Sequence, residues 1–466
     1  MKLFVFLVFL TSTVIAQKVL EVPLGDSPVS SFFLKTDQDG FVCFATAGRN
    51  SVTGKSSSSF FLVEEDSLVK VFGGYERFEV WSIASTVHDF LILSQDKLNQ
   101  FELFTLNKTN KTIKRTVLPL LSENGGAPLG CLQENGRFYL ISYLKDKRER
   151  TFIVTTVDST GVVAEKRFEN MIPLIDKKLR EVPGLAEIET GRRASMIEWA
   201  QQKKFQKRGD YIHLFIEGFA YNLGEIYDLT EVFSMNLETG QSTFRTIPEE
   251  KELGTSNTNS ALIGDQLFRL TIYKNFLEFK IYDFESGRFI KSFSTGKKEK
   301  ISIKNSPIYS KTQKGIEFEN ESESSKRLLA RISNGYGYLF NDYTDQTTIN
   351  FKVGAYIPPT AYSVSYFGSG ILESVLISAA ATLMANAVAA TSYEYNYFNV
   401  TLNARDFSPL AYSDAPRVVK KLDVFEQYQW NNGNRISELI QYSTDNGDYV
   451  TFYNRQKKAI EIHHLN

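Results

Sequence analysis

The chain has 466 residues, 42% of them hydrophobic and 23% charged, the balance of a globular protein and not of a disordered or low-complexity one. Fifty-three basic residues face 54 acidic ones, a formal charge of −1, so no field of one sign exists to hold nucleic acid by counterion release. Aromatic residues reach 13%, with 36 Phe and 23 Tyr; such a composition favours strands, and the length calls for several domains or one large repeat-built one.

The first segment, residues 1–16, reads as a signal peptide. Lys2 is its only charge, an apolar run extends from Leu3 to Leu10, and Val14 and Ala16 occupy the small-residue positions before a cleavage at Gln17. The expected location is therefore secreted, periplasmic or cell-surface. A signal anchor would need a longer apolar span, roughly twenty residues. No Cys stands at the cleavage point to carry a lipid.

Past this leader the chain repeats itself. A turn rich in Gly, Asp or Asn runs into an alternating apolar strand at Gly40, at His88-Asp89, and at Gly136, Gly209, Asp265 and Gly447. Each turn is followed by strand, polar turn and strand, clearest in FELFTLNKTNKTIKRTVL, FIVTTVDSTGVVAEKRF, VFSMNLETGQSTFRTI, FKIYDFESGRFIKSF and VTFYNRQKKAIEIHHL. Asn236–Gly240 and Asp283–Gly287 align 47 residues apart, as do Asp89 and Gly136. Four short strands in a period near 47 predict an all-β fold of stacked sheets, each covering its neighbour's apolar face. A tandem of β-sandwiches is the competing reading.

These motifs resemble the blades of exported β-propellers, with their DG turn and their strand-(D/N)-x-x-(T/S)-G-strand hairpin. The short leader ending in Ala16-Gln17 is similar to those of secreted Bacteroidetes proteins. Neither a WD dipeptide nor a sialidase Asp-box is present, so no subfamily is assigned. The resemblance implies one β-propeller domain over residues 17–466, of six or seven four-stranded blades. The unpaired alternating strand Lys18–Leu24 would then complete the last sheet beside Ala459–Leu465 and hide two open edges.

Two partly helical insertions interrupt the period, at about 170–208 and 354–410. The first has its best helical run over Ala194–Lys204. The second is centred on Ile371–Ala390, which has Glu373 as its single charge and is flanked by Tyr362, Tyr366, Phe367, Tyr393, Tyr395 and Tyr397. That centre reads as a helix packed on the propeller or at a subunit interface, or as a membrane-contacting segment. The six flanking aromatics are the expected partner-binding residues, because rigid aromatic rings carry much of the binding energy at interfaces.

No catalytic residue or cofactor is signalled. Arg49-Asn-Ser-Val-Thr-Gly-Lys-Ser56 lacks the first glycine of a P-loop and leads into a strand, so it reads as a hairpin loop. Four histidines, His88, His213, His463 and His464, show no zinc-ligand spacing, and no GxSxG elbow occurs. Cys43 and Cys131 fall in expected strands, either as buried thiols or as a bridge. Asp37 and Asp39, or Asp445, Asn446 and Asp448, could supply oxygens to calcium but read first as tight turns.

The leading expectation is a non-enzymatic binding protein that presents a propeller face and its insertions to a protein, glycan or envelope partner. A carbohydrate-active hydrolase or lyase with carboxylates in the propeller funnel is the first alternative. A membrane-associated subunit of an envelope complex is the second.

Overall fold

The computed structural model describes residues 16–23, 31–36, 41–49, 56–64, 67–76, 79–96, 100–119, 127–145, 150–182, 184–188, 199–218, 230–247, 256–273, 275–312, 315–319, 325, 328–329, 332, 335–344, 346–357, 394–410, 436–444 and 447–465. Residues 1–15 of the expected leader and the Ile371–Ala390 segment lie outside them, whereas Ala16, its last residue, belongs to the first strand. In chain order the strands are β1 (Ala16–Pro23), β2 (Ser31–Thr36), β3 (Phe41–Arg49), β4 (Ser56–Glu64), β5 (Ser67–Glu76), β6 (Glu79–Ser85), β7 (Asp89–Gln95), β8 (Phe101–Asn107), β9 (Ile113–Val117), β10 (Ala127–Glu134), β11 (Arg137–Lys145), β12 (Arg150–Asp158) and β13 (Gly161–Glu169). A short helix, α1 (Ile175–Glu181), and β14 (Ala186–Ile188) follow. Then come β15 (Lys203–Arg208), β16 (Tyr211–Ile216), β17 (Thr230–Asn236), β18 (Ser242–Ile247), β19 (Ser256–Ile263), β20 (Gln266–Tyr273), β21 (Phe276–Asp283), β22 (Phe289–Gly296), β23 (Ile308–Thr312), β24 (Gly315–Glu319), β25 (Tyr336–Thr344), β26 (Thr348–Ile357), β27 (Glu394–Asn403), β28 (Ile436–Thr444), β29 (Gly447–Asn454) and β30 (Ala459–Leu465).

These strands form sheets that are consecutive antiparallel meanders, β2-β3-β4-β5, β6-β7-β8-β9, β10-β11-β12-β13 and β19-β20-β21-β22 among them. This is the blade topology of a β-propeller, and the fold is all-β. Each turn singled out in the sequence sits between the two strands of a hairpin. The strand–turn–strand copies are the outer hairpins β8/β9, β12/β13, β17/β18 and β21/β22 of their sheets, whereas the last copy, β29/β30, is the inner pair of a sheet whose outer strand is β1. Gly136 shows why the turn needs its residue: its φ of 71° lies in the left-handed region, where a side chain is strained.

Two compact units divide the chain, one of residues 1–78, 108–111 and 417–466, the other of 79–107 and 112–416. In the first, β1 pairs antiparallel with β30, Glu21 opposite Glu461 and Val22 opposite Ile460, so the N-terminal strand completes the last sheet as expected. Val22, Val42, Phe61, Val63, Tyr449, Ile460 and Ile462 form the buried layer between that sheet and β2–β5.

In the second unit each sheet leans on the next. Leu103, Cys131 and Phe138 join β6–β9 to β10–β13, and Phe152 and Phe233, ring centroids 5.3 Å apart, join β10–β13 to the sheet after it. Phe268 and Phe351, 4.9 Å apart, do the same for β19–β22 and β23–β27. Burying one such ring contributes about 2 kcal/mol, which explains the high aromatic content.

Two sheets have five strands instead of the expected four. β14, from the first insertion, adds parallel to β15. β23 and β24 precede β25 in the chain yet sit beyond β27, in the order β24-β23-β27-β26-β25. The helical expectation for Ala194–Lys204 is also corrected: the described helix ends by Ala200, and Lys203 and Lys204 begin β15, where Lys, Phe and Gln alternate between two faces. The second insertion is narrower than 354–410, because β26 continues to Ile357 and β27 begins at Glu394.

Helix α1 staples two sheets. Asp176 accepts a hydrogen bond from the Tyr143 hydroxyl at 2.7 Å and from Arg150 at 2.9 Å on β10–β13, while Lys178 pairs with Glu231 and Leu179 O accepts from Lys203 Nζ at 2.6 Å on β15–β17. Burial would raise Asp176, but the Tyr143 hydroxyl, with Arg150 and Lys145, holds its carboxyl below the ordinary value.

Candidate functional site

Two places stand out, a buried polar array where β15, β19 and β25 of three successive sheets meet and the hairpin from which the second insertion leaves. The array begins with sequence: Ser256-Asn-Thr-Asn-Ser260 is an unbroken polar run in β19, and residues 257–260 are all buried. Such a strand must find partners for every side chain, since an unmet buried polar group costs about 1–3 kcal/mol. Glu217, fully buried just after β16, supplies those of Thr258 and Ser260. Its Oε1 accepts from Ser260 N at 2.7 Å and faces Lys204 Nζ at 3.2 Å. Its Oε2 accepts from Thr230 at 2.9 Å and from the hydroxyls of Thr258 and Ser260, each at 3.2 Å. Arg269 donates to Thr230 at 2.9 Å and so joins the same network.

Lys204 lies across this array from β15. Its Nζ donates to Asn259 Oδ1 at 3.0 Å and to Ser260 O at 2.6 Å. Asn259 Nδ2 donates in turn to Trp199 O at 2.8 Å, and Leu339 N of β25 donates to Asn259 Oδ1 at 3.3 Å. Asn259 thus ties three successive sheets together. None of Lys204, Glu217 or Asn259 stands in a recognised motif; the signal that could have found them is the polar run at the start of β19, which no solvent-facing strand explains once it is buried.

The expected partner-binding aromatics divide. Tyr362, Tyr366, Phe367 and Tyr393 lie outside the described residues. Tyr395 is in β27, opposite Tyr356 of β26. Tyr397 is buried at 2% exposure, stacked on Tyr309 with centroids 5.1 Å apart and with Lys352 Nζ 5.3 Å above its ring. Opposite it stands Gly354, whose absent Cβ would meet Asn396 O at 2.0 Å, so only glycine lets the two strands approach there.

The remaining candidates resolve into structural roles. Arg49 and Ser56 close the β3/β4 hairpin, as a loop reading requires. His88 is exposed in the β6/β7 turn. His213 is buried, with Nδ1 2.8 Å from Ser234 Oγ and its ring edge-on to Phe284, and burial, with Arg245 and Arg208 nearby, pulls it down to about 3. His463 lies 2.9 Å from Glu461, and His464, on the other face, packs on Tyr449. Cys43 and Cys131 are buried thiols that form no disulfide, and burial pushes Cys43 up. The calcium candidates Asp37, Asp39, Asp445 and Asn446 lie outside the described residues, as does the side chain of Asp448. Among the described residues no three His, Cys, Asp or Glu side chains come together as metal ligands, and no helix is long and apolar enough to cross a membrane.

No family model and no curated protein matches the chain. Among solved structures it is similar to a mutant of the Synechocystis apocarotenoid oxygenase, at 13% identity over 57% of this chain and 61% of that one, with a TM-score of 0.30. The chain therefore spans about three fifths of the length of that oxygenase. It is also similar to the β-propeller domain of the Trilobed protease from Pyrococcus furiosus, at 8% identity over 71% of this chain and 91% of that one, TM-score 0.30. An acylaminoacyl peptidase aligns at 7% identity over 69% and 57%, TM-score 0.25. The blade assignment stands on the chain's own strand order.

Proposed function

We propose that this is an exported binding protein, a propeller of six or seven blades that presents the segment 358–393 to a protein or glycan of the cell envelope. The observation that carries the reading is the β26/β27 hairpin. Its two strands pair without a break from Thr348↔Asn403 to Ile357↔Glu394, yet 36 residues separate the paired ends. Two residues suffice to close such a hairpin, and a connection longer than about 15 residues between paired strands is uncommon, being either functional or a linker. Here no further domain is joined, since the next strand pairs with the one before. A rigid pair of strands is a stable mount for it. Its sequence supplies aromatic anchors, Tyr362, Tyr366, Phe367 and Tyr393, around an apolar centre with a single charge.

The test replaces residues 358–393 by an Asn-Gly turn. Full-length and shortened proteins are incubated with envelope fractions of the native host, and retention is measured before and after removal of proteins by protease and of glycans by glycosidase. Retention of the full-length protein alone, with unchanged circular dichroism and melting of the shortened one, is expected, and the enzyme treatment identifies the partner class. Equal retention of both proteins would refute the reading.

A further inference from the structure

The buried array holds the three groups needed to make an amide bond between side chains. We propose that Lys204 and Asn259 condense into an intramolecular isopeptide bond, with Glu217 carrying the proton. The amine is Lys204 Nζ, the electrophile is the side-chain amide carbon of Asn259, and the carboxylate is Glu217, 3.2 Å from the amine. They come from β15, β19 and the residue after β16, and each is almost wholly out of water, at 1%, 0% and 0% exposure.

Every requirement of the reaction has a group in place. The amine sits 3.0 Å from Asn259 Oδ1 and is held by Ser260 O at 2.6 Å, so the encounter is already organised. The amine must shed a proton to attack. Burial pulls Lys204 down and Glu217 pulls it back up, but handing one proton to Glu217 turns two buried charges into two neutral groups, a small step where water is absent. Oxygen charge that develops on Oδ1 meets the Leu339 N–H, which already donates to it at 3.3 Å. Trp199 O, 2.8 Å from Asn259 Nδ2, fixes the amide so that its nitrogen points away from the attacking amine.

The bonds balance without an oxidant or a second substrate. Lys204 Nζ forms a bond to Asn259 Cγ and the Cγ–Nδ2 bond breaks. Nζ gives up two protons in turn through Glu217, one to free its lone pair and one as the new bond forms. Nδ2 takes both and leaves as ammonium, so Glu217 ends as the carboxylate it began as. The product amide keeps one N–H on Nζ, which still points at Glu217 Oε1. Exclusion of water protects the new bond from hydrolysis. The bond ties β15 to β19 across two consecutive sheets and closes a loop of 55 residues in the sequence, so it acts on the unfolded chain as a disulfide does. Cys43 and Cys131 form no disulfide, so the isopeptide bond would be a covalent tie between two of the described sheets.

The experiment is an intact-mass measurement on the purified, unfolded full chain, followed by tryptic mapping. A mass below that calculated for the chain from its own N-terminus by about 17 Da, one ammonia, is expected. This is over and above the ammonia that an N-terminal Gln17 loses on cyclising, which the N-terminal peptide reports separately. Trypsin should not cut after Lys204, and the peptides carrying Lys204 and Asn259 should travel as one species. Glu217→Gln and Asn259→Ala should restore the full mass. The wild-type measurement stands even where a variant fails to fold. Full mass with normal cleavage after Lys204 overturns the proposal, as does loss of water mapping to Lys204 and Glu217, or conversion of Asn259 to aspartate.

Discussion

Lys203 offers a stability test whose sign and size both follow from its surroundings. It lies on the face of β15 opposite to Lys204, in register with Ile216 and, one strand further, Glu231. Glu231 is taken by Lys178 of α1, so the described partner of Lys203 Nζ is the carbonyl of Leu179. Burial pulls this lysine from its ordinary 10.5 down to about 7. At about 1.4 kcal/mol per pH unit, carrying the charge inside costs on the order of 5 kcal/mol. Between pH 7 and pH 10.5 the unfolded chain binds this proton and the folded one does not, so wild-type stability rises with pH through that window and the penalty is complete below pH 7.

Lys203→Met removes both the penalty and one hydrogen bond, the latter worth about 1 kcal/mol. Urea unfolding at pH 6, 8 and 10.5, followed by tryptophan fluorescence, reads the difference. The variant should be more stable by about 4 kcal/mol at pH 6 and less stable by about 1 kcal/mol at pH 10.5, with a crossing between. A constant difference at all three pH values would mean that the buried amine keeps its proton throughout and that burial does not pull it down.

Three further outcomes are expected. Val22→Ala should destabilise the protein by about 2 kcal/mol in denaturant melts, since Val22 seals β1 onto β30 at 1% exposure. Asp176→Asn should loosen α1, read as faster amide exchange over 175–182, and the wild type should lose the same protection on acidification as Asp176, held low by its partners, finally protonates. Tyr397→Ala should cost about 3 kcal/mol of stability, because Tyr397 packs on Tyr309 in the core, whereas Tyr366→Ala should leave the melting temperature unchanged and weaken envelope retention.

The parts legible in the sequence were those that local physics dictates. Turn residues at Gly136, Gly209 and Gly447 mark hairpins because they act within four residues, and alternation marks strands because its period is two. Even the closure of β30 by β1 was readable, from a strand that had no partner of its own. Position in the sheet order was not. That β23 precedes β25 but lies beyond β27 depends on how the chain crosses a blade, which no period records. Lys203-Lys204 looked helical because lysine favours helices mildly, and pairing with β16 overrode that preference. The Lys204–Glu217–Asn259 cluster was hidden for a simpler reason: its members are 13 and 42 residues apart in sequence and meet only when two sheets stack.

Site-specific photo-crosslinking reads envelope binding at single residues of the 358–393 segment. A photoreactive aromatic amino acid is placed at Tyr366, at Phe367 and, as a control, at the exposed Phe289 of β22, and each protein is irradiated in contact with native envelope. One discrete adduct is expected at Tyr366 and Phe367 and none at Phe289. Adducts of equal yield at all three positions, or at Phe289 alone, would contradict binding through this segment.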